Sequence, residues 1–285
     1  MKELKQGRYT GITSQKYHSI GQVMGTEGHL HTPASKSMLT TFIKNPRAWK
    51  MGLGGFKGSK SADMGSLIDA MCLEPQILNS EFIKRPETYI HPKDGQKPWN
   101  ANAVVCKKWI AETAKGKTII SPKEWDIAET AKQFLLDNEY TREAIEKSDT
   151  QVMYVREYDG IFLKSLFDMC PRADSKFSDS IIDMKRTVAS SPKEFYYECL
   201  KYKYHWQAAK YLDMHNAVTG ENRERFFFVL SESQSPYGEG MVEMHPKMIQ
   251  RGREEYMEAL NKYVECVKTG SFPSPYQQGP IMIGE

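Results

Sequence analysis

Cysteine is scarce and unpaired in this 285-residue chain. Cys72, Cys106, Cys170, Cys199 and Cys266 are scattered and odd in number, with no C-x-x-C pair. That argues against a zinc or iron–sulfur centre and for a reducing, cytoplasmic setting. Long apolar runs are also lacking. None is long enough to span a bilayer, and the opening MKELKQGRYTGITSQ has no apolar core of a secretory signal. No membrane partner is therefore expected. There is no internal repeat and no long low-complexity tract. Phosphate-cradling loops are missing too. MGLGGFKGSK at 51–60 lacks the G-x-x-x-x-G-K-[ST] order and follows no strand, and Gly116-Lys117-Thr118 has no upstream glycine at the right distance. Neither sign of charge dominates: the net charge is +3 and the pI about 8.4, which is compatible with nucleic acid without demanding it. With 40% hydrophobic and 26% charged residues, the chain has an ordinary globular composition, enough for one large domain or two small ones.

What is present centres on Tyr158 to Thr187, YDGIFLKSLFDMCPRADSKFSDSIIDMKRT. It reads as two strands joined by a polar loop, each carrying an acid where an apolar run ends or nearly ends. From Ile161 to Asp168 the residues alternate. Phe162, Lys164, Leu166 and Asp168 share one face, and Ile161, Leu163, Ser165 and Phe167 the other. Pro171 to Ser180 is rich in Asp, Ser and Lys and suits a hairpin-type connection. In Ile181-Ile182-Asp183-Met184-Lys185 the period of two puts Asp183 and Lys185 on one face and Met184 on the other. Two carboxylates and one ammonium can thus converge across adjacent strands. Two carboxylates can hold Mg²⁺ with its remaining positions left to water and a phosphate oxygen. A lysine beside them can orient the attacking water, help deprotonate it, or neutralise charge in the transition state. This is a phosphodiester-cleaving arrangement. Asp-x-Lys also arises by chance about once in a chain of this length, so the pattern alone equally allows a solvated strand end.

The flanking chain supplies the context. Residues 1–32 are polar and lack periodicity, and read as an extended arm whose His18, His29 and His31 lie in flexible loop. A helix opens at Pro33 to Leu39, capped by Thr32 or Ser35, and stops at Asn45-Pro46. Ser61 to Glu74 is a second helix, with Met64, Leu67, Ile68, Met71 and Cys72 on its buried stripe. Asp69 sits at the edge of that stripe, one turn beyond Gly65, either as a surface acid or as an acid facing open space. Residues 79–100 read as loop. Their basic and aromatic residues (Lys84, Arg85, Tyr89, His91, Lys93, Lys97, Trp99) suit a nucleic-acid path and an ordinary surface loop equally well. Helices are expected over 101–114 and 122–147, a strand over 151–158 turned at Asp159-Gly160, and a helix from Ser191-Pro192 to Leu200. A further helix over 202–212 sets Gln207 and Tyr211 on one face, at i and i+4. Strands at 225–230 and 240–245 and a terminal helix over 246–268 complete the chain.

The motifs GSLIDAMCLEP, FLKSLFDMCP, IIDMKRT, YHWQAAKYLD and FFFVL occur in that order. In this order and spacing, with Q-x-x-x-Y after D-x-K, the chain resembles the RecE-type exonucleases (exonuclease VIII) and related phage proteins of the PD-(D/E)XK nuclease superfamily. The resemblance runs from about Ser35 to the terminal helix. It implies an α/β fold, a central mixed sheet of about four to six strands flanked by helices. It also implies that Asp168 and Asp183 are the metal-binding acids, Lys185 the catalytic lysine, and Gln207 and Tyr211 supports of the site and the DNA end. Where the family's G-x-x-x-H helix carries a histidine that can ligate metal, this chain has Asp69. A carboxylate there is a competent ligand for Mg²⁺ or Mn²⁺, or the mark of an altered site. The function implied is a Mg²⁺-dependent exonuclease acting 5′ to 3′ on double-stranded DNA ends to leave single-stranded tails for recombination. A ring-shaped homo-oligomer and a single-strand annealing recombinase as partner follow from the same resemblance. An endonuclease or single-strand/flap nuclease of the same fold, or a catalytically silent DNA-end-binding protein, are the alternatives. The expected boundaries are an arm over 1–32, a single nuclease-like domain over 33–268 and a tail over 269–285.

Overall fold

Helices come first along the chain and most of the sheet comes later. A computed structural model describes residues 4–53 and 59–276. Part of the glycine-rich connector (54–58) and the end of the tail (277–285) lie outside the described residues. The central sheet has six strands in sequential order: β1 Gly7–Tyr9, β2 Ser148–Tyr158, β3 Ile161–Pro171, β4 Ser180–Thr187, β5 Arg225–Glu232 and β6 Glu239–Glu243. Neighbours pair antiparallel except β4 and β5, which run parallel. The sheet is therefore mixed and the fold α/β, as expected. The main helices are α1 Lys36–Phe42, α2 Lys60–Leu73, α3 Pro122–Asp137, α4 Pro192–Lys201, α5 Tyr204–Thr219 and α6 Pro246–Thr269. Among the described residues, no helix is long and apolar enough to cross a membrane.

A parallel pair needs a crossover connection, and α4 and α5 provide it between β4 and β5. Their starts are fixed locally. Ser191 accepts from the Glu194 N–H, with Pro192 in the first turn. Ser35 caps α1 in the same way, and Ser121 and Glu124 form a reciprocal capping box on α3. One face of the sheet, with Tyr154, Phe167, Phe226 and Phe228, packs against Leu39, Phe42, Trp206, Tyr256 and Tyr263 from α1, α5 and α6. The other face, with Met169, Ile182, Met184 and Val229, packs against Leu67 and Ile68 of α2 and Leu135 of α3. Each such side chain contributes about 1.5–3 kcal/mol by leaving water. With both faces covered, the sheet can place a polar group in its middle only by design of the strands themselves.

Several expectations are corrected. The segment 4–32, read as an extended arm, contains the short helix Ser14–His18 and strands Val23–Met24 and Leu30–His31, and its β1 joins the sheet against β2. Tyr17 and Val23 cover Met153, Val155 and Phe162, so sparse apolar residues without periodicity still suffice to close one end of the sheet. His31, placed in flexible loop by sequence, is buried and its Nε2 accepts the Phe162 N–H at 2.8 Å. Residues 122–147 form two helices, because Asn138 accepts from the N–H groups of Tyr140 and Thr141 and caps a second one, Glu139–Glu146. Residues 79–100 hold strands Phe82–Lys84, Thr88–His91 and Gly95–Pro98, with Pro86 and Pro92 lying between strands and not within them. Pro46–Lys50, read as a lead-in, is a helical turn capped by Asn45.

Helices α5 and α6 meet at a glycine. A Cβ on Gly252 would stand 2.1 Å from the carbonyl oxygen of His205. The two backbones could not keep this approach with any other residue. Gly252→Ala is expected to destabilise the protein by about 1–3 kcal/mol through overpacking. Urea unfolding would read this as a lower midpoint at unchanged slope, and an unchanged midpoint would show that the helices can separate freely.

Candidate active site

The site forms where β3 changes partner. In its first half β3 is bonded to Ala34, whose N–H donates to the Phe162 carbonyl at 2.8 Å and whose carbonyl accepts from Lys164 N at 3.2 Å. Further on β3 pairs with β4 at Ile182 and Met169. One residue beyond that pair on each strand come Asp183 and Asp168. Here the strands part, and the Asp168 carboxylate takes over a ladder position by accepting the Met184 N–H on Oδ2 at 2.9 Å. On the other side of β3, the register with β2 runs from Ser148–Pro171 to Tyr158–Ile161 but skips Gln151 opposite Asp168. Gln151 has φ +50°, in the left-handed region although it is not glycine. Such a conformation costs energy and collects at functional sites. Here it aims the amide Nε2 at Asp168 Oδ1, 3.3 Å away.

Asp183 is almost fully buried and is held from two sides. Gln207 of α5 donates Nε2 to Oδ1, and the Lys185 ammonium ion-pairs with Oδ2. The alternation along β4 places Asp183 and Lys185 together, as read from sequence. Tyr211, one turn after Gln207, does not reach a carboxylate. Its hydroxyl donates to the Leu166 carbonyl at 3.0 Å and its ring stacks on Phe167 at 4.2 Å, so it fixes the segment of β3 just before Asp168. Asp69 arrives from α2, whose apolar stripe packs on Ile182 and Met184. A Cβ on Gly65, one turn earlier, would meet nothing within 4 Å. Asp69, Asp168, Asp183, Lys185, Gln207 and Tyr211 all line one cavity of 620 Å³.

The electrostatics follow from crowding acids in a half-closed space. Burial, then the neighbouring Asp183 and Asp69, raises the Asp168 carboxyl well above its ordinary value, against the pull of Lys185. Burial likewise pushes Asp69 up to about 7, with Lys185 opposing and Asp183 adding to the rise. Burial alone would lower the Lys185 ammonium, but Asp183 and Asp168 more than offset it, and its pKa is raised. Lys185 therefore stays charged at neutral pH.

Among the described residues, no group of three or more His, Cys, Asp and Glu side chains is drawn together tightly enough to hold a metal as it stands. The chemistry of the donors nevertheless fits a hard divalent cation. Asp69, Asp168 and Asp183 face one cavity without a cysteine or a histidine between them, Asp69 and Asp168 with raised pKa, and Asp183 Oδ2 is buried without a hydrogen-bond partner, met by the Lys185 ammonium.

Sequence reasoning missed most of the other lining residues, among them Gln151, His18 and Lys36. Gln151 is signalled by nothing but a polar residue inside a strand. His18 lines the cavity from the N-terminal segment, its pKa lowered by burial and by Lys164. Lys36 lines it from the first turn of α1, pushed down to about 7 by burial and then by Lys185. No motif marks either. The basic and aromatic residues of 84–99 do not line this cavity. Lys84 pairs with Asp126 at 3.0 Å, Lys97 with Asp94, and Arg85 lies over Trp99 at 5.5 Å, as an ordinary surface hairpin would arrange them.

A mixed sheet flanked by helices, with opposed acids at a strand parting and a lysine two residues after the second, defines a PD-(D/E)XK nuclease-like fold. The chain belongs to the family described as a PDDEXK-like domain of unknown function (DUF3799), which it matches over residues 35–278. It is similar in structure to a candidate exonuclease from Eubacterium rectale, with a TM-score of 0.58 at 15% identity, covering 97% of this chain and 96% of that one. A phage-related exonuclease from Haemophilus somnus 129PT matches with a TM-score of 0.39 at 10% identity, over 89% of this chain and 93% of that one. An alkaline exonuclease from Laribacter hongkongensis gives 0.23 at 15% identity, over 59% and 86%. The first of these likenesses is one of fold. No curated protein matches the chain.

The position of Asp69 generates a pH dependence. Its pKa of about 7 in the folded protein lies above the ordinary 3.8, so the folded state holds a proton that the unfolded state releases first. The contribution of Asp69 to metal-free stability should be fully present below about pH 4 and be lost as pH rises towards 7. Asp69→Asn should flatten that decline and stabilise the metal-free protein at pH 8 by on the order of 2 kcal/mol, allowing for screening at a half-buried site. Added Mg²⁺ should raise the unfolding midpoint of the wild type more than that of the variant. Coincident pH profiles for the two proteins would remove Asp69 from the electrostatics of the site.

Proposed function

We propose that the protein is a Mg²⁺-dependent deoxyribonuclease that degrades double-stranded DNA from its ends, 5′ to 3′, leaving single-stranded tails for recombination. The observation that carries this reading is the opposition of Asp168 and Asp183 at the parting of β3 and β4, with Lys185 ion-paired to Asp183. Asp168, Asp183 and Asp69 would hold Mg²⁺, or Mn²⁺, whose charge supplies Lewis-acid stabilisation of phosphate oxygens and acidifies the attacking water. The protein groups do the rest. Gln207 holds Asp183 Oδ1 and leaves Oδ2 to the Lys185 ammonium. The Met184 N–H and Gln151 hold the two oxygens of Asp168, so neither acid can swing when substrate enters. Lys185, kept protonated by the acids, serves as a fixed cation that orients a water by hydrogen bonding and offsets charge growing on the phosphate. Tyr211 is a positioning residue acting through β3. The resemblance to RecE-type exonucleases supports the polarity, a ring-shaped homo-oligomer and a single-strand annealing recombinase as partner, and the scattered, unpaired cysteines support a cytoplasmic setting.

The test is release of nucleotides from linear duplex DNA with Mg²⁺ or chelator. Asp183→Ala and Lys185→Ala are each expected to lower the rate by at least about a hundredfold, the scale of losing a preorganised electrostatic group, while closed circular DNA is spared. Cutting of the circle would make the protein an endonuclease. No release by the wild type in Mg²⁺ or Mn²⁺ would leave a DNA-end-binding protein, and full activity of Asp183→Ala would sink the site assignment.

A further inference from the structure

A chain of alternating ammonium groups and tyrosine rings leads out of the cavity. Lys185 Nζ lies over the Tyr204 ring at 5.2 Å from its centroid. Lys36 Nζ lies over the same ring at 5.2 Å and donates to the Tyr202 carbonyl at 2.5 Å. The Tyr202 and Tyr204 rings are 5.6 Å apart, and Lys201 Nζ stands over Tyr202 at 5.1 Å. This ladder runs along the turn between α4 and α5 and floors a groove of 730 Å³ closed on its far side by α1. Lys36, Ser37 and Tyr204 line both the groove and the acidic cavity, so the two are continuous. Tyr202 is 46% exposed, so its ring is accessible from the groove.

The charge of the groove is positive. Lys36, Lys44, Lys201 and Lys203 line it against Glu255 and Glu258. Glu255 is already neutralised by Lys203, His205, Trp206 and Arg251, which all donate to it. Lys44 and Lys201 are not committed to Glu255 and outnumber Glu258, and Lys36, lowered to about 7 by burial and then by Lys185, gains charge where an anion binds beside it. Cations beside aromatic faces in an open groove suit phosphates alternating with bases, and stacking on an aromatic ring needs a base that is not already paired and stacked in a duplex.

We propose that the Lys36–Tyr202–Lys201 groove holds an unpaired DNA strand leading to or from the acidic cavity, with lysines on its phosphates and a base stacked on Tyr202. The proposal rests on the nuclease reading for its direction and deepens it: the site is fed or drained as a single strand, whatever the form of the DNA outside.

The test is fluorescence anisotropy of a labelled mixed-sequence single-stranded oligonucleotide, and of a blunt duplex of equal length, with the full chain in chelator so that nothing is cut. Tyr202→Ala should weaken single-strand binding about tenfold, within the range for one lost stack. Tyr202→Phe, which keeps the ring, should change it by about twofold or less. Lys201→Gln should lower the salt dependence of log K by about one unit. Duplex affinity should be nearly unmoved by all three. Thermal melting controls for folding. The inference is overturned if the wild type does not bind the single strand, if Tyr202→Ala binds it as the wild type does, or if single-strand and duplex binding fall together. These outcomes separate from the nuclease reading. Wild-type protein that shows the expected binding but releases no nucleotide in Mg²⁺ sinks the nuclease reading alone, and protein that degrades ends with binding indifferent to Tyr202 sinks the groove alone.

Discussion

The hydrogen bond from the Met184 N–H to Asp168 Oδ2 is the contact on which the arrangement depends. A buried sheet cannot leave a backbone N–H unmatched without a cost of about 1–3 kcal/mol. Strands β3 and β4 nevertheless separate just past Ile182 and Met169. Asp168 resolves the conflict by supplying the missing acceptor from a side chain. The separation opens the sheet for a cavity, and the same carboxylate becomes the first wall of that cavity. Ala34 takes the other half of β3, bonding to Phe162 and Lys164. One strand thereby serves two partners and turns from one to the other at the acid.

That solution concentrates negative charge in a place with little water. The fold answers with fixed partners instead of neutral ones. Gln151, Gln207 and Lys185 each meet a carboxylate, and the strained backbone of Gln151 is part of the same bargain. The raised pKa of Asp168 and Asp69 records their burial first, and then the repulsion between acids that these partners do not remove. A site tuned in this way is primed for cations, because a cation relieves a penalty that the folded chain already bears.

Much of this was legible in the sequence because it depends on parity and order. A period of two is enough to set Asp183 and Lys185 on one face of β4, and Gln207 and Tyr211 follow from a period near four on α5. Five of the six strands of the mixed sheet required only recognising which runs were strands. What could not be read depends on single backbone angles or on contacts between distant segments. Nothing in Val152-Met153-Tyr154 warns that the preceding Gln151 adopts a left-handed conformation. Nothing in residues 4–32 shows that a short strand pairs with β2 or that His31 accepts the Phe162 N–H. Asn138 looked like an interior helix residue because its neighbours continue the apolar period; its side chain caps the next helix instead. Lys36 was invisible for the opposite reason: it sits in an unremarkable helix turn and acquires meaning only by lying beside Tyr204.

The acid at position 69 is best understood through Lys185. A histidine there would place a second potential cation near an ammonium whose charge is already needed to balance Asp183. Asp69 instead adds a group whose proton is held by burial and whose pKa lies at about 7. Near neutral pH it can carry its proton and spare the cavity a third charge, or release it when another positive charge enters. Asp69 thus leaves the Lys185–Asp183 ion pair undisturbed while placing a further carboxylate beside the cavity on α2. Lys36, buried beyond Tyr204 and feeling Lys185 as a like charge, is pushed down to about 7, whereas the acids more than offset the burial of Lys185. The acids hold one lysine fully charged, and the next cation along the groove is left to be completed by whatever anion arrives.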